Sequence, residues 1–264
     1  AGVSIVAHRG FWNCEEAGFS QNSIASLRCA QEAGVWGSEF DVFLTADNHL
    51  VVNHDAVFQG LEIEASTYDQ VRELRLKNGE QVPNIDEYLT QGKKCSTTML
   101  VYEVKSHNLS DEREDIIADL SVQKVKEYEL GPDRVAFIAF SYRICKRIAE
   151  QMPGYTVQYL SSDKTPETVY ADGINGIDYH GGAFKEHQEW VKGGFDYIKV
   201  HTGQTFYMAN AKLECLYTHE DVWPQRLEYF NNSSTIFRMN FTDVNTSMLW
   251  LGDSERIGGD NIVA

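Results

Sequence analysis

Short, almost continuously apolar runs alternate along this chain with longer segments whose apolar positions recur every three to four residues. Such alternation predicts a parallel sheet assembled from β-α units, rather than a sandwich or a helical bundle. The first run covers residues 3–7, and a helix is expected over about 23–33, where Gly34 can end it. Residues 37–43 predict the second strand, and Leu50, Val51 and Val52 a short extension that returns the chain to His54. Helices are expected near 67–76 and 85–91. Residues 99–105 stay apolar almost to their end, as a strand buried on both faces does, and a long amphipathic helix follows over 111–129. Strands at 134–140, 155–160 and 173–179 continue the pattern, separated by helices near 143–151 and 166–171.

Beyond residue 185 the pattern blurs. Residues 186–191 are helix-like, 197–200 read as a strand, and 202–232 carry no definite assignment. Residues 235–239 predict a strand, 245–251 a helix and 258–263 a last short strand. No repeat, linker or shift of composition marks a second domain. One domain over 1–264 is therefore expected, and its length suits the roughly 250 residues of one (β/α)8 barrel.

Charge narrows the function classes. Asp and Glu number 39 against 23 Lys and Arg, a formal net charge of −16, which disfavours nucleic acid as a partner. No run approaches the roughly 20 apolar residues of a membrane span, so no integral membrane segment is expected. An anionic substrate would need a bound cation to reverse the field locally. The 5 cysteines, Cys14, Cys29, Cys95, Cys145 and Cys215, form no C-x-x-C pair and encode no zinc or redox motif. A start at Ala1-Gly2 fits a leader-trimmed protein and a cut chain equally, with a lean towards an exported location.

The charged residues collect at the ends of predicted strands: His8 and Arg9, Glu39 and Asp41, His54 and Asp55, Glu103 and Lys105. Active sites of β/α barrels form there, because the rim brings side chains from different strands into one pocket. Glu39 and Asp41 are two apart on a strand, so both face one way, about 6.6 Å apart along it. With Glu103 they make an all-oxygen set suited to a hard divalent cation, Mg²⁺ or Ca²⁺. Lys105 shares the face of Glu103. His8 and His54 are the candidate proton carriers, since imidazole exchanges protons near neutral pH. Arg9 offers a planar fork for phosphate oxygens. Each residue alone has an ordinary structural reading, a solvated strand edge or a bonded core histidine. Their ordered combination favours the chemical one.

Ala7-His8-Arg9-Gly10, then Gly37-Ser38-Glu39-Phe40-Asp41-Val42, then Val52-Asn53-His54-Asp55 resemble the glycerophosphodiester phosphodiesterase family. Glu103-Val104-Lys105 resembles that family's Glu-x-Lys strand, and residues 236–240 are similar to its late Val-Trp-Thr-Val-Asn strand. The resemblance implies a TIM (β/α)8 barrel and hydrolysis of a small glycerophosphodiester to glycerol 3-phosphate and an alcohol. It also implies one Mg²⁺ or Ca²⁺ on Glu39, Asp41 and Glu103, His8 and His54 as the acid and base, and Arg9, Lys105 and Phe237 against the substrate. Ser20-Gln21-Asn22 departs from the family's Pro-Glu-Asn, which implies a site that holds its ion with less negative charge. The segment near 193–234 is longer than the family's usual link, and Phe237 stands where a tryptophan is common. Two alternatives share the fold. One is a phospholipase or sphingomyelinase D-like enzyme using the aromatic stretch 223–230 at a lipid surface, and the other is a binding protein that keeps the pocket without catalysis.

Overall fold

A computed structural model describes residues 5–187 together with strands at 205–208, 211–217, 236–241 and 247–250. The chain divides into one unit over Ser4–Gly194 and a second over Ala1–Val3 with Phe195–Ala264.

In the first unit, β1 (Val6–Ala7), α1 (Ile24–Glu32), β2 (Gly37–Leu44) and β3 (Leu50–Val52) are followed by a small hairpin of β4 (Val57–Phe58) and β5 (Leu61–Glu62). Then come α2 (Tyr68–Glu73), α3 (Ile85–Lys93), β6 (Met99–Val104), α4 (Asp111–Glu127), β7 (Val135–Ala139) and α5 (Tyr142–Gln151). The unit ends with β8 (Thr156–Tyr159), α6 (Pro166–Ala171), β9 (Gly176–Ile177) and α7 (Gly181–Glu186). Strands β1, β2, β6, β7, β8 and β9 are parallel neighbours in that order, and β3 turns back antiparallel on β2. This is the β-α alternation expected from the sequence, with most boundaries within two residues. The predicted strand over 173–179 is shorter than expected.

Helix starts follow local chemistry. Ser23, Thr67, Asn84, Ser110, Ser141 and Thr165 each accept a backbone N–H at the first turn of α1 to α6, satisfying donors that a helix cannot pair internally. Glu80 completes the start of α1 by accepting from Ile24 N at 2.8 Å and Ala25 N at 3.1 Å.

Strand parity decides what faces the interior of the sheet. Phe40, Tyr102 and Phe137 stand side by side across β2, β6 and β7, because Phe40 pairs with Tyr102 and Tyr102 with Phe137. Their rings are 4.8 and 5.4 Å apart, and Phe40 also stacks on Tyr88 of α3 at 4.4 Å. Tyr102 donates its hydroxyl to Ser121 of α4 at 3.0 Å. This aromatic row is the face that meets the helices. Alternation then sends Glu39, Asp41, Val101, Glu103 and Ile138 to the opposite face. Val101, Ile138 and Leu160 pack there as a separate apolar cluster.

The second unit contains β10 (Thr205–Met208), β11 (Ala211–Tyr217), β12 (Ile236–Phe241) and β13 (Ser247–Trp250), antiparallel neighbours in that order. Two expectations change here. Residues 245–251 were expected to be a helix, yet Ser247–Trp250 is a strand that pairs Trp250 with Phe237 and Leu249 with Arg238. A four-residue apolar run has too few positions to separate helical from strand periodicity, so the partner strand decides. Residues 236–241 form the expected strand, but its neighbours β11 and β13 are antiparallel, unlike a strand of the parallel sheet. The predicted elements at 197–200 and 258–263, and the aromatic stretch 223–230, lie outside the described residues, as does much of the segment 193–234. The expected single domain over 1–264 likewise extends onto residues outside them. No described helix is long and apolar enough to cross a membrane.

Phe40 is fully buried beneath α3, so Phe40→Ala should destabilise the protein by about 3–5 kcal/mol in urea unfolding. A loss below about 1 kcal/mol would mean that the aromatic row does not set the face of β2.

Candidate active site

Glu39, Asp41 and Glu103 converge where β2 and β6 run side by side, Asp41 pairing directly with Glu103. They are 5, 0 and 8% exposed, and one carboxylate oxygen of each lies within 4.8 Å of the others. Buried carboxylates this close repel one another unless compensated. Burial pushes Glu39 well above the usual carboxylate range, and the charges of Asp41 and Glu103 push it further, against the opposing hydrogen bond from Arg9 N. Burial also raises Glu103, with Lys105 pulling it down and Asp41 pushing it up.

Lys105 supplies part of the compensation. Its Nζ is 3.0 Å from Glu103 Oε1 and 3.3 Å from Asp41 Oδ1. Burial alone would lower this ammonium, but Glu103 and Asp41 outweigh it and hold it above its ordinary value. One ammonium among three carboxylates leaves two negative charges, matching a divalent cation. Among the described residues, Glu39 Oε1 is buried and accepts no hydrogen bond, and Asp41 Oδ1 has no acceptor role beyond the Lys105 ion pair. A buried, unpaired carboxylate oxygen within an all-oxygen cluster is what a hard cation needs. The residues therefore fit Mg²⁺ or Ca²⁺.

The loop after β1 closes one side. Arg9 and Gly10 take left-handed backbone conformations, φ 58° and 80°. At Gly10 a Cβ would lie 2.8 Å from the Ser26 backbone and 2.3 Å from its Oγ, so only glycine lets the loop settle against α1. Arg9 N donates to Glu39 Oε2 at 2.7 Å. Its guanidinium donates from Nη1 to Gln21 Oε1 at 2.8 Å, and Nη2 lies 2.9 Å from His54 Nε2. Asn22, also left-handed at φ 53°, donates its amide to Asp41 Oδ2 at 2.8 Å and accepts Asp41 N at 3.2 Å.

His54 arrives on the chain leaving β3, where Asn53 N donates to the Asp41 carbonyl at 3.0 Å. Arginine can only donate, so His54 Nε2 accepts from Arg9 and Nδ1 carries the proton given to Asp55 Oδ1 at 2.8 Å. His8 is exposed, with Nε2 3.8 Å from Glu39 Oε2. A cleft of about 390 Å³ opens beside these groups, lined in part by His54, Asp55, Lys105, Ser106, His107 and Phe140.

The structure thus brings together His8, Arg9, Glu39, Asp41, His54, Glu103 and Lys105, seven of the eight residues singled out from the sequence. Phe237 lies on β12 opposite Cys215 and Trp250, and its side chain is outside the described ones. Gln21 is half-buried and turned to Arg9, so its amide acts on the guanidinium, where the sequence reading had placed its effect at the metal. Asn22 and Phe140 were not singled out from the sequence. Asn22 entered the sequence reading only as the matching asparagine of Ser20-Gln21-Asn22 and was given no role; it stands one residue before the helix cap Ser23. Phe140 is 58% exposed at the end of β7, where an apolar strand residue would ordinarily be covered.

The model of the "Glycerophosphoryl diester phosphodiesterase family" matches residues 8–188. A glycerophosphodiester phosphodiesterase of Caldanaerobacter subterraneus subsp. tengcongensis is 45% identical over 51 residues, and the chain spans 19% of that curated relative's length. A crystal structure of a glycerophosphodiester phosphodiesterase from Parabacteroides distasonis is similar at 43% identity with a TM-score of 0.68, covering 72% of this chain and 78% of that one. An Oleispira antarctica phosphodiesterase in complex with the product sn-glycerol-3-phosphate is similar at 20% identity with a TM-score of 0.57, over 74% of this chain and 82% of that one, a likeness of fold alone. The fold is α/β, a TIM barrel, as the resemblance of the motifs implied.

Asn22 holds Asp41 through two buried hydrogen bonds, so Asn22→Ala should cost about 2–3 kcal/mol in urea unfolding, the range for losing bonds to a buried charged group. A cost near zero would show that Asp41 keeps its place without this amide.

Proposed function

The chain belongs to the glycerophosphoryl diester phosphodiesterase family, and on that premise we propose that it hydrolyses small glycerophosphodiesters to glycerol 3-phosphate and an alcohol, using a divalent cation and two histidines. The observation that carries this reading is the meeting of three buried carboxylates with Lys105, Arg9 and His54 at one end of the parallel sheet.

Glu39, Asp41 and Glu103 would hold Mg²⁺ or Ca²⁺, which supplies Lewis-acid polarisation of the phosphoryl oxygens when bound. Lys105 adds a positive charge beside them, and the Arg9 fork suits two phosphate oxygens at once. His54 is oriented by Asp55, which keeps the proton on Nδ1 and the lone pair on Nε2. When the guanidinium turns to phosphate, that lone pair takes a proton from the attacking oxygen, of water or of the substrate's own glycerol hydroxyl. As the new P–O bond forms, the bond to the alcohol breaks; where the glycerol hydroxyl attacks, this gives a cyclic phosphate, which water then opens to glycerol 3-phosphate with the two histidines exchanging roles. Protonated His8 returns a proton to the leaving oxygen, so the exchange balances. Phe237 is carried as a substrate contact by the resemblance alone. His107 and Phe140 stand on the same cleft and give its wall an aromatic and an imidazole surface.

Chelator-stripped protein should release no glycerol 3-phosphate from glycerophosphocholine or glycerophosphoethanolamine, and Mg²⁺ or Ca²⁺ should restore release. In the restored protein, His8→Ala and His54→Ala should each lower kcat at least about a hundredfold, the scale of general acid-base catalysis, with an unchanged unfolding midpoint. Turnover indifferent to chelation would refute the cation, and near-parental turnover in either variant would remove that histidine from the mechanism.

A further inference from the structure

The loop between β1 and α1 lies against α1 where two thiols meet. Phe11 N donates to Ser26 O at 2.9 Å, and Cys14 Sγ donates to Phe11 O at 3.3 Å. The Cys14 sulfur is therefore held beside the turn of α1 that runs from Ser26 to Cys29, residues that share one face of the helix. Cys29 is buried there with Ala17 and Ala25, and Phe11 and Cys14 pack against the same cluster. The side chains of Cys14 and Cys29 are hydrogen-bonded to each other, and both are free thiols. The other described cysteines face oxygen instead. Cys95 meets the hydroxyls of Thr97 and Thr98 at 3.3 and 3.6 Å, and Cys145 the carbonyls of Ala139 and Gln158, each at 3.6 Å.

Cys14 also closes the base of a local turn, accepting Phe19 N at 3.1 Å, with Gly18 N bonded to Glu15 O at 2.9 Å inside it. A bond from Cys14 to Cys29 would tie that turn to the helix. The two sulfurs differ in access: Cys14 is half-buried and Cys29 is buried. Burial, and after it the hydrogen bond with Cys14, pushes the Cys29 thiol up to about 11. The outer sulfur is thus the one that meets an oxidant first, and the inner one resolves the product.

We propose that Cys14 and Cys29 are a disulfide-forming pair, oxidised by exchange with a small-molecule disulfide, whose bond staples the β1–α1 loop to α1. Cys14, as thiolate, attacks one sulfur of the oxidant and expels the other half as a thiol. Cys29 then gives up its proton, attacks Cys14 Sγ and expels the second half. One S–S bond breaks and one remains formed, the protein loses two hydrogens, and the oxidant leaves as two thiols. The probe is oxidised glutathione, followed by alkylation of the remaining thiols and trypsin, which cuts after Arg28 between the two cysteines. Mass spectrometry should find the peptides of Cys14 and Cys29 joined, and dithiothreitol should separate them. The thermal midpoint of the oxidised protein should rise by about 5–10 °C, the scale of a disulfide closing a loop of this length. Cys14→Ser should show neither the joined peptides nor the rise. A map in which Cys14 stays reduced, pairs with another cysteine or ends as a lasting glutathione adduct overturns the pair. That map is read on the parental protein, so it decides the matter even if the variant fails to fold. Joined peptides without a higher midpoint overturn the staple.

Discussion

Three carboxylates forced together out of water are the constraint around which this structure is arranged. Glu39, Asp41 and Glu103 are there because the pleat allows nothing else once Phe40, Tyr102 and Phe137 are committed to the helices. An aromatic row on one face of three adjacent strands fixes the other face by parity, since a shift of one residue would exchange the two sets. The apolar cluster of Val101, Ile138 and Leu160 then keeps part of that inner face dry, which strengthens every charge interaction made there. The same packing that stabilises the sheet creates the electrostatic demand of the site.

That demand explains the neighbouring loops. The groups that reach the carboxylates bring donors, two from the β1–α1 loop and one from the end of β6: Arg9 N to Glu39, the Asn22 amide to Asp41, the Lys105 ammonium to Glu103 and Asp41. Two of these donors sit on residues with left-handed backbone, Arg9 and Asn22. Such conformations are costly for side-chain-bearing residues and persist where surrounding contacts fix them. Here the contacts are the carboxylates themselves, so strain in the β1–α1 loop and charge in the sheet balance each other. Lys105 satisfies only part of the cluster, and among the described residues nothing donates to Glu39 Oε1.

Much of this was legible in the sequence because it depends on short-range rules. Spacing of two on a strand put Glu39 with Asp41 and Glu103 with Lys105, and the alternation of apolar runs with helical segments gave the parallel sheet. Gln21 and Asn22 were harder to read, because their roles arise from loop geometry and from hydrogen bonds across the fold that no periodicity records. The assignment also failed at Ser247–Trp250, where a four-residue apolar run is helical or extended according to what lies beside it, and the neighbour β12 made it a strand. Phe140 illustrates the converse. The sequence placed it correctly at a strand end but could not show that it stands 58% exposed.

The net charge of −16 and an anionic substrate class look incompatible only if charge is counted over the whole chain. Over most of the surface, acidic groups are screened by salt within about 10 Å. Inside the cleft the balance is local and differently composed, with Lys105 lining the space that His54 and Asp55 border and the Arg9 guanidinium bonded to His54. A divalent cation on the carboxylates would offset the two negative charges that Lys105 leaves there, so that this point no longer repels an anion. Neutral amides then matter as much as charges. Gln21 accepts from Arg9 and Asn22 donates to Asp41 without adding to either side of the charge balance, so the loop that carries them ties to charged groups without compensating their charge.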